Sequence, residues 1–351
     1  MRKGIIIICV IAILVIANIV IIKLLAPNDN KQQLSDTNTT FNINQNNNVE
    51  QEKNQIENNN NVNVKKSTVY MTSDISSNGL MKIYRALGKE LRGNVAVKIS
   101  TGEAGGHNYL SPNLIKELVQ EVNGTIVECN TLYSGSRSST AMHKQTARDH
   151  GFTDIANVDI LDENGQINLQ VPNGKHLKED LVGANYQNYN SVLVLSHFKG
   201  HTMGGFGGAI KNISIGFASA RGKSLIHSAG TTTSGWGNPS QDEFLESMAE
   251  AALAIATDKG ENIVYISVMN NLSIDCDCDS NPAEPDMHDI GILASTDPVA
   301  LDKACVDLVY NAPDGKSLIQ RIESRNGIHT LEYGAEIGLG NLDYELVEID
   351  D

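Results

Sequence analysis

Cysteine is scarce, with five in 351 residues. That is too few for a scaffold built from disulfides. Basic charge is in deficit: 27 Lys and Arg against 42 Asp and Glu leave a net charge of −15. Such a chain lacks the basic face that a phosphate backbone requires, which excludes nucleic acid as a partner. No internal period marks a repeat array. The GxxxxGK[ST] spacing of a P-loop is absent, as is the CxxCxxCxxxCP run of bacterial ferredoxins.

One more absence is local. No Asp or Glu occurs between Asp180 and Asp242. At the density of residues 67–351, which hold 37 acids, about eight would be expected in these 61 positions. The same stretch carries Lys199, Lys211, Arg221 and Lys223 with His197, His201 and His227. A buried core segment would also lack acids, but it rarely carries four cations, because an unpaired buried charge is costly. The pattern points to a small anionic ligand or substrate, or to a reactive centre from which carboxylates are kept away.

The amino-terminal residues read as something other than a folded domain. Arg2 and Lys3 precede an apolar run from Ile5 to Ile22. This approaches the ~20 residues that span a bilayer. The run is too long for the core of a cleaved signal peptide, and residues 25–27 make a poor cleavage site. Residues 1–27 are therefore expected to be an uncleaved signal-anchor in the cell membrane. The basic tip stays inside and the rest of the chain is extracytoplasmic. Residues 28–66 follow as an Asn-rich linker, expected to be disordered. Residues 67–351 form the folded domain.

Within that domain, apolar strand-like runs alternate with helical periodicity. Strands are expected at 68–71, 94–99, 125–128, 191–195, 262–268 and 344–349. Helices are expected at 79–91, 114–122, 140–150, 241–257 and 298–309. Ser111 and Asp297, each followed by proline, read as helix starts. The alternation predicts an α/β fold with a mostly parallel sheet and helices on both faces. Ligand sites in such sheets lie at the carboxyl ends of strands.

Four segments there stand out. HFKGHTMGGFGGAIKN, residues 197–212, follows a buried strand. Gly204, Gly205, Gly207 and Gly208 permit close backbone approach, and a helix starting near Ala209 would offer free N–H groups to an anion. His197 and His201 are candidate acid–base groups, a metal pair, or ordinary hydrogen-bonded histidines. Lys211 and Lys199 suit a role for a lysine of lowered pKa, and Lys211 or Arg221 could stabilise negative charge. In the second segment, Glu103 and His107 sit among glycines. In the third, Arg137 suits bidentate contact to a carboxylate or phosphate. In the fourth, Cys276 and Cys278 alternate with Asp275, Asp277 and Asp279. Side chains two apart in extended backbone share a face, so these cysteines are candidate ligands for a metal ion or an iron–sulfur cluster. A disulfide and two unpaired thiols are the alternatives.

The run HFKGHTMGGFGGAIKNISIGFASARGK, the segment VECNTLYSGSR with His143 after it, the CDCD element, and DIGILASTDPVALDKACVDLV together resemble the family called domain of unknown function 362. Its members are often labelled iron–sulfur centre proteins. The resemblance covers about residues 68–350 and implies no settled activity. The ferredoxin-like cysteine block of many relatives is missing here, which leaves Cys276 and Cys278 as the matching element. A more distant resemblance is to the amino-terminal domain of nickel-pincer lactate racemases. There a histidine precedes a glycine-rich turn and a lysine follows it to hold the cofactor. His201, the glycines and Lys211 resemble that pattern. It implies racemase or epimerase chemistry on a hydroxy acid, with His197, His107 or His143 in proton transfer.

Overall fold

The structure, a computed structural model, describes residues 66–350. The expected anchor and all but the end of the linker lie outside the described residues. Among those described, no helix is long and apolar enough to cross a membrane.

The strands are β1 (Ser67–Thr72), β2 (Val95–Lys98), β3 (Gly124–Glu128), β4 (Val158–Ile160), β5 (Gln166–Gln170), β6 (Glu179–Gly183), β7 (Ser191–His197), β8 (Lys199–His201), β9 (Gly205–Gly207), β10 (Ile263–Met269), β11 (Gly291–Ser295) and β12 (Tyr344–Glu348). Eight of them form one sheet in the order β12-β1-β11-β10-β7-β2-β3-β4. β11 runs against both neighbours, and every other pairing is parallel. β5 pairs with β6, and β8 with β9, as separate antiparallel hairpins.

The apolar runs explain the layering. β7 is buried along its whole length. Its side chains alternate, with Val192 and Val194 on one face and Leu193 and Leu195 on the other. Helices α1 (Ser77–Ala86), α2 (Pro112–Glu121) and α3 (Thr140–Asp149) cover the second face through Leu80, Ile115, Leu118 and Ala147. The first face is covered by α4 (Ala209–Phe217), α6 (Gln241–Lys259) and α7 (Pro298–Asn311), through residues such as Ile213, Ile255 and Leu301. Each such Leu or Ile side chain contributes about 1.5–3 kcal/mol on full burial. α5 (Ala220–His227), α8 (Lys316–Ser324) and α9 (His329–Glu336) complete the helices. Local signals set the starts: Ser240 and Glu243 form a reciprocal capping box on α6, and Asp297 accepts from Val299 N and Ala300 N ahead of Pro298.

The direction of chain order across the sheet reverses between β2 and β7. β2 leads to β3 on one side, and β7 leads to β10 on the other. The crevice between the carboxyl ends of β2 and β7 is therefore the switch point where open α/β sheets bind ligands.

Candidate functional site

β7 ends at His197, and the chain turns at once into the β8–β9 hairpin before entering α4. Two glycines allow this. A Cβ on Gly200 would lie 2.2 Å from the Ile274 carbonyl oxygen, so only glycine lets the cysteine loop pack on the hairpin. A Cβ on Gly208 would lie 2.2 Å from Asp302 Oδ1. That carboxylate corrects one expectation. The first N–H groups of α4 are not open to an anion, because Ala209 N and Ile210 N donate to Asp302 at 2.7 and 2.9 Å. Asp302→Ala leaves both buried donors unpaired. We expect a loss of about 1–3 kcal/mol, read as a lower urea midpoint at unchanged m-value.

At the switch point lies a cavity of about 220 Å³. Five cationic side chains reach it (Lys98, Arg137, Lys199, Lys211 and Lys223) against two acids, Glu128 and Asp277. In a chain of net charge −15 this local excess is the reverse of the average. Most of these cations are already committed. Lys98 Nζ donates to Ile99 O at 2.6 Å and Asn212 Oδ1 at 3.0 Å. Lys223 Nζ donates to Ala218 O at 2.6 Å. Arg137 meets Glu128 at 3.3 Å and Glu103 at 3.4 Å. Lys199 Nζ donates to Asp277 at 2.9 Å. Among the described residues, no acceptor lies within hydrogen-bond distance of Lys211 Nζ. Burial, with Lys199 and Lys98 nearby, pushes the Lys211 amine down to about 7. Burial likewise lowers Lys98 to about 8.

The histidines divide by their ring nitrogens. His197 Nδ1 meets Asp277 at 2.8 Å and Nε2 meets Asn270 O at 2.6 Å, so both nitrogens face acceptors. His201 Nδ1 accepts from Met203 N at 3.2 Å and Gly204 N at 2.9 Å. In the neutral ring the proton is then on Nε2. Burial, Lys211 and His227 hold His201 neutral, well below the usual histidine range. His227 Nδ1 pairs with Lys223 O at 2.7 Å, and burial lowers this ring to about 4.

Cys276 and Cys278 stand in the cavity wall, with their sulfurs bonded to each other. Asp277 between them is pinned by His197 and Lys199. Burial would raise its carboxyl, but these two partners hold it well below the usual range. His201, Cys276 and Cys278 each offer a ligand atom, and these atoms lie within 4.8 Å of one another. The group could hold a metal ion once the cysteines are reduced. Two thiolates and an imidazole make a soft set, suited to zinc, copper(I) or nickel. Ligation at His201 would displace its Nε2 proton, so the thiolates are the principal donors. The set does not fit a cluster that needs four thiolates. Cys129 lines the cavity, but its Sγ donates to Phe217 O at 3.1 Å and burial raises its thiol to about 12. Cys305, on α7, is buried in the core.

The structure thus brings His197, His201, Lys199, Lys211, Lys223, Arg137, Gly207, Gly208, Cys276 and Cys278 to one cavity. Gly204 and Gly205, at the turn of the β8–β9 hairpin, lie outside its lining, and so do three further candidates. Arg221 reaches Thr233 at the surface, His107 faces Glu284 at 3.4 Å, and Glu103 sits in an adjoining cleft. His143 is buried behind the cavity, 2.8 Å from Glu128. Sequence reading passed over Lys98, Glu128 and Asp302, and named His227 and Asp277 only as neighbours of its candidates. The first two carried a usable signal: each is a charge inside an otherwise apolar strand, at its carboxyl end.

A cavity at the switch point of a mostly parallel sheet defines the class: an α/β domain with a candidate site. The chain belongs to the family described as Domain of unknown function (DUF362), whose model matches residues 95–307. No curated protein matches the sequence. Solved structures are similar to this chain, two of them as follows. One is the lactate racemase apoprotein from Thermoanaerobacterium thermosaccharolyticum, with TM-score 0.41 and 13% identity over 68% of this chain and 56% of that one. The other is a Thermotoga maritima protein from a structural genomics programme, with TM-score 0.41 and 13% identity over 66% and 57%. The chain spans a little over half the length of each.

Proposed function

We propose that this domain is a metal-dependent enzyme acting on a small organic anion. One observation carries the proposal: a single cavity joins a soft donor group to an excess of cations, one of which, Lys211, has no acceptor among the described residues. At about 220 Å³ the space lies below the ~300–1,000 Å³ of drug-sized sites, which suits a ligand of a few carbons. Cys276 and Cys278 would hold the ion, with His201 as a third donor. A soft ion there would supply Lewis-acid or redox chemistry. Lys211 binds the substrate's negative charge, and the neutral His201 donates Nε2–H to a substrate oxygen when it is not ligated. The run Ile5–Ile22 behind Arg2 and Lys3 supports tethering to the membrane with the domain outside.

A second reading is a racemase or epimerase of a hydroxy acid that uses a nickel-pincer cofactor. It is favoured by His201 and Lys211, which carried that resemblance, reaching the same cavity.

One experiment tests both. The full chain is purified without oxygen, and metal content is measured by mass spectrometry. About one soft ion per chain, lost in a Cys276→Ser, Cys278→Ser double variant, supports the first reading. Nickel that survives that variant but is lost with His201→Ala supports the second. A folded protein without metal sinks both and leaves a module that binds anions.

A further inference from the structure

We propose that Cys276 and Cys278 are a redox-active pair that exchanges with a dithiol and sets whether the cavity can take a metal. The exchange goes beyond the metal reading, and only its consequence for the ion rests on that reading.

Three observations carry the proposal. The first is position. Both cysteines line the cationic cavity and also a second cleft, bounded by Glu103, Asp275 and Asp279. The pair is thus part of the wall between the two spaces and is open to a reagent from the far side. Cys278 is the more accessible partner, half-buried where Cys276 is buried.

The second observation is the small loop. A bridge between residues two apart closes the shortest of loops and restricts the unfolded chain least, so it does little as a staple. The fold is held here by other means. Asp277 is locked between His197 and Lys199, Glu103 N donates to Asp277 O at 2.8 Å, and Arg321 donates to Ile274 O at 2.7 Å. The sulfurs can part and rejoin without the loop coming undone.

The third is a waiting donor. Cys278 N–H points at Cys276 Sγ at 3.2 Å. When the bridge opens, that donor meets a sulfur carrying negative charge.

The step balances as follows. A thiolate of the dithiol attacks Cys278 Sγ, the S–S bond breaks, and Cys276 leaves as thiolate. The second thiol of the reagent then attacks the mixed disulfide and frees Cys278. Two electrons and two protons pass to the pair, and the dithiol leaves as a disulfide. In the bonded form neither sulfur can give a thiolate to a metal. In the reduced form both can.

The test uses the full chain in anaerobic buffers of set ratios of reduced to oxidised dithiothreitol. Samples are acid-quenched and alkylated, and the peptide holding both cysteines is weighed. We expect it to move from no label to two labels together, and to revert under oxidised reagent. Zinc, used as the probe ion, should bind at about one per chain only in the reduced form. Two labels on that peptide under oxidised reagent would overturn the proposal. So would a peptide that stays unlabelled in the native protein under full reductant yet labels after denaturation with reductant. In Cys276→Ser and in Cys278→Ser, the remaining thiol should label at every ratio. Exchange without zinc uptake would uphold the redox pair and remove the metal reading.

Discussion

Asp277→Asn is expected to lower stability by about 3–5 kcal/mol, because it leaves the buried Lys199 ammonium without its counter-charge and strips the His197 ring of its carboxylate partner. The carboxylate is almost fully enclosed and meets His197 at 2.8 Å and Lys199 at 2.9 Å. In a domain of this size each kcal/mol moves Tm by about 2–4 °C, so a fall of about 6–20 °C follows. The variant should also lose part of the acid dependence. The Asp277 carboxyl is held below its unfolded value of about 3.9. Its contribution is therefore present above about pH 4 and is lost as pH falls through the folded value. Thermal unfolding between pH 2 and 7 checks both points. A Tm within about 2 °C of the parent at pH 7 would show that the ion pair does not hold the loop.

The same ion pair explains why part of the site was hidden in the sequence. Asp277 stands eighty residues from His197, and only the parallel pairing of β7 with β10 brings their loops together. Short-range features were legible. The buried runs at 191–195 and 262–268 became β7 and β10, and the serine and aspartate caps before proline became the starts of α2 and α7. The long periodic segment after Ser240 became α6. What pattern alone missed was short or reversed. β11 carries an apolar run that resembles the preceding helix signals less than it resembles loop, and its antiparallel setting depends on β1 and β10. The β8–β9 hairpin is three residues a side inside a glycine-rich run, too short for a period to show. The stretch lacking acids runs along the cavity: three of its four Lys and Arg residues, Lys199, Lys211 and Lys223, line it, while Arg221 turns to solvent. The expected anion seat on α4 failed for a reason of long range, since Asp302 arrives from α7.

Lys211 should control anion binding through its charge. With its amine lowered to about 7, the ammonium form prevails below that pH and the neutral form above it. A small hydroxy carboxylate such as glycolate stays ionised throughout this range, so any change in its affinity reports the protein. We expect binding to weaken by about tenfold or more from pH 6 to pH 9, with a shallower second limb from Lys98, lowered to about 8. Lys211→Met at pH 6 removes a charge-assisted hydrogen bond of about 1.5–3 kcal/mol, which is about 10–150-fold in Kd. It should also flatten the pH dependence near 7. Lys211→Arg keeps its charge at every pH tested and should hold its affinity at pH 9. Linkage adds an independent sign. An anion bound beside Lys211 favours the ammonium, so binding above pH 7 must draw protons from the buffer. Calorimetry in buffers of different ionisation heat should therefore show net proton uptake near pH 8, reduced in Lys211→Met to the smaller part left by Lys98. Equal affinity and equal proton uptake in parent and Lys211→Met would place the anion elsewhere in the cavity.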